Sequence, residues 1–264
     1  MINILLSSCK YCRNRIPIGP RGNVAEPDIY LLGIRIVDPA ASATDIAVAL
    51  LCLFAFTSSA LRGRPGEIFR HLRWYFLFMS VGTLLGGVIG HAFIYALGHM
   101  FKLPGWIASM VGVYFMERAS LSHSAGLVSE TTRRILSTVN LLTLFLSVAF
   151  TLATLEFFYV QIHTVYGLAL VVLGLESLVF SRTRDRGSLW IMTAIATAAV
   201  AALLFNLRFM LSPVLSYQAI SHVFIGFSIY FFYLGARNMA AATGGAPASA
   251  APADELAATA IEEL

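Results

Sequence analysis

The sequence predicts an all-α protein, a polytopic membrane bundle of seven transmembrane helices with its N-terminus outside and its C-terminus inside. Three observations lead there. Of 264 residues, 58% are hydrophobic and 12% charged, about half the charge expected of a soluble domain. The apolar residues gather into runs close to the roughly 20 needed to span a bilayer as a helix. The basic residues between the runs fall on alternate sides. The formal net charge of +4 calls for no nucleic-acid partner, because loops of membrane proteins collect basic residues for topological reasons.

Residues 1–42 form the N-terminal tail. Its first 25 residues lack the pattern of a signal peptide: the apolar stretch INILL is short, and the basic residues follow it. They read as a polar tail or as an upstream extension of the natural start. Cys9 and Cys12 make a CxxC, which supplies two of the four ligands of a structural zinc site, so a plain tail is the simpler reading. The stretch YLLGIRIV, residues 30–37, suits an interfacial position on the membrane surface. Pro39 and Thr44 suit a helix start.

The transmembrane domain covers residues 43–237, in segments at 43–61, 74–99, 104–117, 135–156, 162–181, 188–207 and 217–236. The third is the shortest. The fourth and fifth are divided only because a single helix over 135–181 would far exceed a bilayer; their junction, FFYVQIH, contains neither Gly nor Pro. Cys52 reads as a small core hydrophobe. Residues 238–264 read as a flexible Ala/Pro-rich C-terminal tail.

Loop charge sets the orientation. Arg62, Arg64, Arg70, Arg73, Arg118, Arg133, Arg134, Arg182, Arg184, Arg186 and Arg237 fall on one side, and Lys102 and Arg208 on the other. Eleven against two places the first group inside. The basic residues of the N-terminal tail oppose this, but most lie too far from the first helix to weigh on it. A bacterial cytoplasmic membrane is the expected location.

The second segment raises a chemical question. Its stretch GTLLGGVIGHAFIYALGH combines glycine, which weakens a helix, with His91 and His99. Gly82, Gly86 and Gly90 recur every four residues and are expected to share one face that a neighbouring helix approaches closely. His91 is placed about 12 Å below the outer end of its helix and His222, in the seventh segment, about 7 Å below. Asp45, Glu156, His163, Asn206, Gln218 and Ser221 also fall on the outer side. Polar residues at membrane depth are costly and usually face a bundle interior or a wet cavity. The plain reading is that each packs singly against backbone; the sharper one is a shared polar pocket around His91 and His222. His71 and His123 read as solvated in inner loops, and Glu117 and Glu176 as partners of nearby arginines.

These motifs resemble the seven-helix superfamily that includes the alkaline ceramidases and the adiponectin and progestin receptors. The resemblance rests on GGVIGHAF in the second helix, SHVFIGFSIYFFYLGAR in the seventh, and the outside-to-inside arrangement; Thr44-Asp45 ahead of the first helix is similar to a bacterial branch. It implies a zinc ion held by a histidine of the second helix and an HxxxH pair of the seventh, with a serine four residues before the first histidine and an aspartate. His91 and His222 match two of the metal ligands. The chain departs at the others: Gly87 stands at the serine position, and Gln218 and Gly226 flank His222 at four residues. Asp45, Glu156 and His163 are the candidates for a third ligand.

Two functions from different classes follow. The first is a metal-dependent hydrolase of a lipid amide or ester. The second is a non-catalytic membrane protein that binds a lipid or small-molecule ligand in the same pocket or pins helices together. A transporter ranks below both, since no broken helix with an inverted repeat is visible. The sequence carries no HExxH, GxSxG or phosphate-binding loop.

Overall fold

The computed structural model describes residues 28–212 and 214–244. The Cys9/Cys12 pair, the first 25 residues and the chain beyond Gly244 lie outside them. The stretch expected at the membrane surface is a β-hairpin: β1 (Ile29–Leu31) pairs antiparallel with β2 (Ile34–Ile36). Leu32 and Gly33 both take positive φ, 51° and 80°, as a two-residue turn of this type demands.

Seven long helices follow: α1 (Pro39–Thr57), α2 (Glu67–Ala92), α3 (Leu103–His123), α4 (Glu130–Thr154), α5 (Phe158–Thr183), α6 (Arg186–Asn206) and α7 (Tyr217–Gly244). Six of them are long and apolar enough to cross a membrane; α3 falls outside that set. Its inward face explains why. Gly105, Ala108, Gly112, Glu117 and Ser120 are all buried, and glycine, serine and glutamate lower the hydropathy of the helix while facing protein. The chain is a multi-pass membrane protein built on a helical bundle.

Local chemistry sets the helix ends. Pro39 and Pro104 sit in the first turns of α1 and α3, where a missing N–H costs nothing. Ser129 caps α4 by accepting from Thr132 N, and Asp185 caps α6 by accepting from Ser188 N at 2.8 Å. The break between α4 and α5, unmarked by Gly or Pro, is made by Leu155 in the left-handed region at φ 57°.

The helices close into a ring in which each contacts the next: α1, α2, α3, α5, α6, α7 and back to α1. α4 lies outside the ring against α3 and α5. Val48, Phe76, Met116, Val172, Ile191 and Phe232 fill the core. The N-terminal end of α1 and the C-terminal end of α2 share one end of the bundle, called here the histidine end. The other is the arginine end.

The glycines of α2 do not share one face. Gly82 meets α3, where an added Cβ would lie 3.1 Å from Gly105 O and 2.5 Å from Ser109 Oγ. Gly86 and Gly87 meet α1. Gly90 faces the Lys102 side chain, 3.8 Å away, and Leu85 O of its own helix at 3.9 Å. The reason is geometric. Residues 86–92 wind as a π-helix, so a spacing of four no longer keeps Gly90 in line with Gly86. α2 is thereby packed between two neighbours.

Gly82→Leu is expected to lower stability in detergent by roughly 1–3 kcal/mol through overpacking. Gly174→Leu should be neutral, because nothing lies within 4 Å of a Cβ at that site. Equal melting of the two variants would refute this packing.

Candidate metal centre

The start of α1 determines the site. Pro39 fixes the first turn, which puts Ala41, Thr44 and Asp45 on one face at spacings of three and four. That face meets α7. His222 Nδ1 lies 3.3 Å from Ala41 O, 3.3 Å from Thr44 Oγ1 and 3.5 Å from Asp45 Oδ1. A carbonyl oxygen only accepts, so Nδ1 carries the proton and Nε2 keeps its lone pair.

The second wall is α2. A Cβ at Gly86 would lie 2.8 Å from Asp45 Oδ2, and one at Gly87 would lie 2.9 Å from Ser42 O. The contact is locked by Ser42 Oγ, which donates to Gly87 O at 2.8 Å. His91, near the end of the π-helical stretch, brings Nε2 to 3.8 Å from Asp45 Oδ2. Its Nδ1 lies 3.7 Å from Asp38 Oδ2 and has no hydrogen-bond partner. The rings of His91 and His222 stand 5.4 Å apart at 69°.

Asp45, His91 and His222 each offer a ligand atom, and these atoms lie within 4.8 Å of one another. Among the described residues no other group of three or more His, Cys, Asp and Glu does so. The His91–carboxylate distances exceed a hydrogen bond. They approach the roughly 3.4 Å edge of a tetrahedron whose bonds are about 2.0–2.1 Å, as around zinc. The donor set of two imidazoles and a carboxylate fits such an ion. The three side chains are 10–12% exposed.

Lys102 is the nearby cation. Burial pushes its ammonium down from the ordinary lysine value, opposed by the charges of Asp38 and Asp45. Neither Asp38 nor Lys102 was among the residues the sequence pointed to. Lys102 was legible only as a loop charge, and Asp38 precedes the first segment.

The other candidates stand elsewhere. Glu156 is exposed at the end of α4, with its backbone N–H bonded to Thr154 Oγ1. Asn206 is exposed and donates to Ala202 O within its own helix. His163 is buried between α5 and α3, with Nε2 3.1 Å from Met110 O. Ser221 is buried but donates to Gln218 O in the same turn. The sequence grouped these residues by depth along the helices; in the structure their directions around the bundle separate them from Asp45, His91 and His222.

Residues 40–241 match a family of unknown function, DUF6962. The chain belongs to that family. No curated protein and no solved structure matches it. The matched span takes in all three residues of the DUF6962 chain's centre and all but the ends of its helical bundle.

A second cluster lies at the arginine end of this DUF6962 protein. Glu176 is fully buried and accepts from Ser120 Oγ and Ser188 Oγ, each at 2.7 Å, with His123 Nδ1 2.9 Å away. His123 is therefore a carboxylate partner and not a solvated loop residue. The partners of Glu176 are hydroxyls and an imidazole, not arginines. His71 is buried too, stacked on Phe115 at 6.1 Å. Glu117 pairs with no arginine, and both its oxygens are unpartnered among the described residues.

Glu176 ties α5 to α3 and α6. Glu176→Ala strands two hydroxyls and an imidazole, with an expected loss of roughly 3–5 kcal/mol. Glu176→Gln, which still accepts, should lose less. Reversible unfolding in mixed micelles measures both, and equal losses would contradict the account.

Proposed function

We propose that this DUF6962 protein is a seven-span protein of a bacterial cytoplasmic membrane, with the N-terminus outside and the C-terminus inside. In this reading Asp45, His91 and His222 hold a divalent metal ion, zinc first, and the centre hydrolyses an amide or ester of a lipid in the outer leaflet. The carrying observation is the meeting of three ligand atoms from α1, α2 and α7 within 4.8 Å. The loop-charge balance supports the orientation. The 21 residues of α3, about 31 Å long, support a seventh crossing.

The resemblance to the ceramidase and adiponectin-receptor superfamily supports the chemistry. The chain lacks the second histidine of an HxxxH, and Asp45 takes that place in the ligand set. When bound, zinc acts as a Lewis acid and lowers the pKa of bound water toward about 7. The protein supplies orientation. Asp38 faces His91 Nδ1, and outer partners of this kind set ring direction and basicity. Ala41 O and Thr44 hold the His222 ring from its Nδ1 side. Gly86 leaves room for the Asp45 carboxylate.

A second reading draws on the 10–12% exposure of the three side chains. So closed a centre also suits a non-catalytic role, binding a ligand or clasping α1, α2 and α7.

Detergent-purified protein is expected to carry about one zinc per chain, as a three-ligand site would. Asp45→Asn and His91→Ala should each weaken zinc binding at least tenfold. Fluorogenic lipid amides and esters in mixed micelles then separate the readings. Turnover that needs zinc and Asp45 supports hydrolysis. Stoichiometric zinc without turnover, or absence of zinc affinity, removes hydrolysis and leaves the non-catalytic role. For orientation, single cysteines replace Arg64 and Met100 in a chain whose native cysteines are removed. An impermeant maleimide added outside should label position 100 and spare position 64. The opposite pattern would invert the topology.

A further inference from the structure

The interface of α3 with α5 holds buried polar groups that the metal centre does not use. Glu117 of α3 is fully buried, and neither carboxylate oxygen has a hydrogen-bond partner among the described residues. His163 Nδ1 and Asn140 Nδ2 are also buried without partners. An unpaired buried acid contributes nothing to stability, so helix packing alone does not account for it. A carboxylate there would be an isolated charge out of water, far costlier than the neutral acid.

The chain makes space for this group. Glu117 lies against Gly167, where any side chain would overlap the carboxylate. Gly167 lies in the second π-helical stretch, residues 166–172. Such turns interrupt regular bonding and recur at functional positions. Its neighbour Tyr166 donates to Asn140 Oδ1 at 2.8 Å.

The groups fall in order along the bundle. His163 lies five residues inside α5, about 7.5 Å from its histidine end. Gly167, which faces Glu117, is one turn further. Ser120 is three residues beyond Glu117 on α3, about 4.5 Å along the axis, and donates to Glu176. Glu176 contacts His123, whose Nε2 lies 3.7 Å from Asp185. The side chains of His123 and Asp185 are 17% and 21% exposed, so the series reaches the surface at the arginine end.

We propose that this interface is a proton-transfer path across the bundle, with water molecules joining the buried groups. Glu117, the neutral acid at rest, passes its proton through the Ser120 hydroxyl, which takes one and gives one up, to the Glu176 carboxylate. Glu176 gives one to His123 Nδ1, and His123 releases one from Nε2 beside Asp185; exchange of its ring protons with water restores its starting tautomer. His163, whose Nε2 proton stays on Met110 O, takes up a proton at Nδ1 from the histidine end and passes it to the Glu117 carboxylate, which becomes the neutral acid again. One proton enters, one leaves, and every group returns to its starting state. The pH difference or voltage across the bilayer drives the transfer. Of the titratable groups, Tyr166 on α5 is the one whose charge interacts with Glu117; His163 and Glu176 on α5, Arg118 and His123 on α3, and Asp185 before α6 are the other titratable or charged groups along this interface. The Arg118 side chain is engaged by Ser137 Oγ of α4. The path does not depend on the metal centre or on which end faces outward.

The test is proton flux into liposomes of neutral phospholipid that contain the full-length protein and a trapped pH-sensitive dye, driven by a potassium diffusion potential. The parent protein should acidify the vesicles at least tenfold faster than empty ones. Glu117→Gln, close in size but unable to exchange the proton, should remove at least nine-tenths of that excess. Glu117→Asp should restore part of it. Glu156→Gln removes an exposed carboxylate away from the path and should conduct as the parent. If Glu117→Gln does not fold, Gly167→Ala, which displaces the carboxyl group, takes its place with the same expectation. Parent vesicles no faster than empty ones would overturn the proposal, as would undiminished flux in a folded Glu117→Gln or Gly167→Ala protein.

Discussion

Everything at the histidine end depends on how closely α1 can lie against α2. Two helices normally stand apart by the thickness of their side chains. At Gly86 and Gly87 that thickness is absent, and the backbone of α1 comes into contact at Ser42. The Ser42–Gly87 hydrogen bond holds the approach. Without it Asp45 would not stand beside His91, and His222 would have no carboxylate to face. In lipid, where apolar side chains gain nothing by leaving the solvent, close backbone approach of this kind is a principal source of association.

The bundle treats its polar groups in three ways. At the histidine end an aspartate and two imidazoles stand near each other at distances too long for direct hydrogen bonds, a spacing suited to a shared ion. At the arginine end Glu176 is satisfied by two hydroxyls and an imidazole, which joins three helices. Between them Glu117 has no partner. The contrast matters because the cost of a buried polar group depends on its partners far more than on its depth. Glu176 has a structural explanation in its bonds; Glu117 needs one of another kind.

Much of this was legible in the sequence, for reasons that also mark the limits. The apolar runs disclosed the helices because lipid demands near-continuous hydrophobicity. α3 was foreshortened because its buried face carries Gly112, Glu117 and Ser120, residues that lower hydropathy while facing protein. His91 and His222 were picked out by depth, a quantity that follows from loop charge and residue count. Asp45 was visible through its place beside Thr44 at the head of α1. Glu156, Asn206 and His163 were grouped with them on depth alone. What depth omits is azimuth, and azimuth is set by packing and by π-helical turns that no periodicity in the sequence declared. The same omission made Gly82, Gly86 and Gly90 look like one stripe.

The π-helical stretch of α2 has one more consequence. A wide turn accommodates a residue that an α-helix would not hold in the same axial length. Everything beyond it is rotated by about 100° relative to a regular helix of the same start, one residue's share of a turn. His91 lies on the far side of most of that rotation. Its compass bearing is therefore decoupled from the face of α2 that packs on α3. A chain one residue shorter between Leu85 and His91 would keep its membrane crossing and its packing on α3, yet aim the imidazole a quarter-turn away from Asp45. In this bundle the length of a single helix, counted to the residue, is itself a chemical specification.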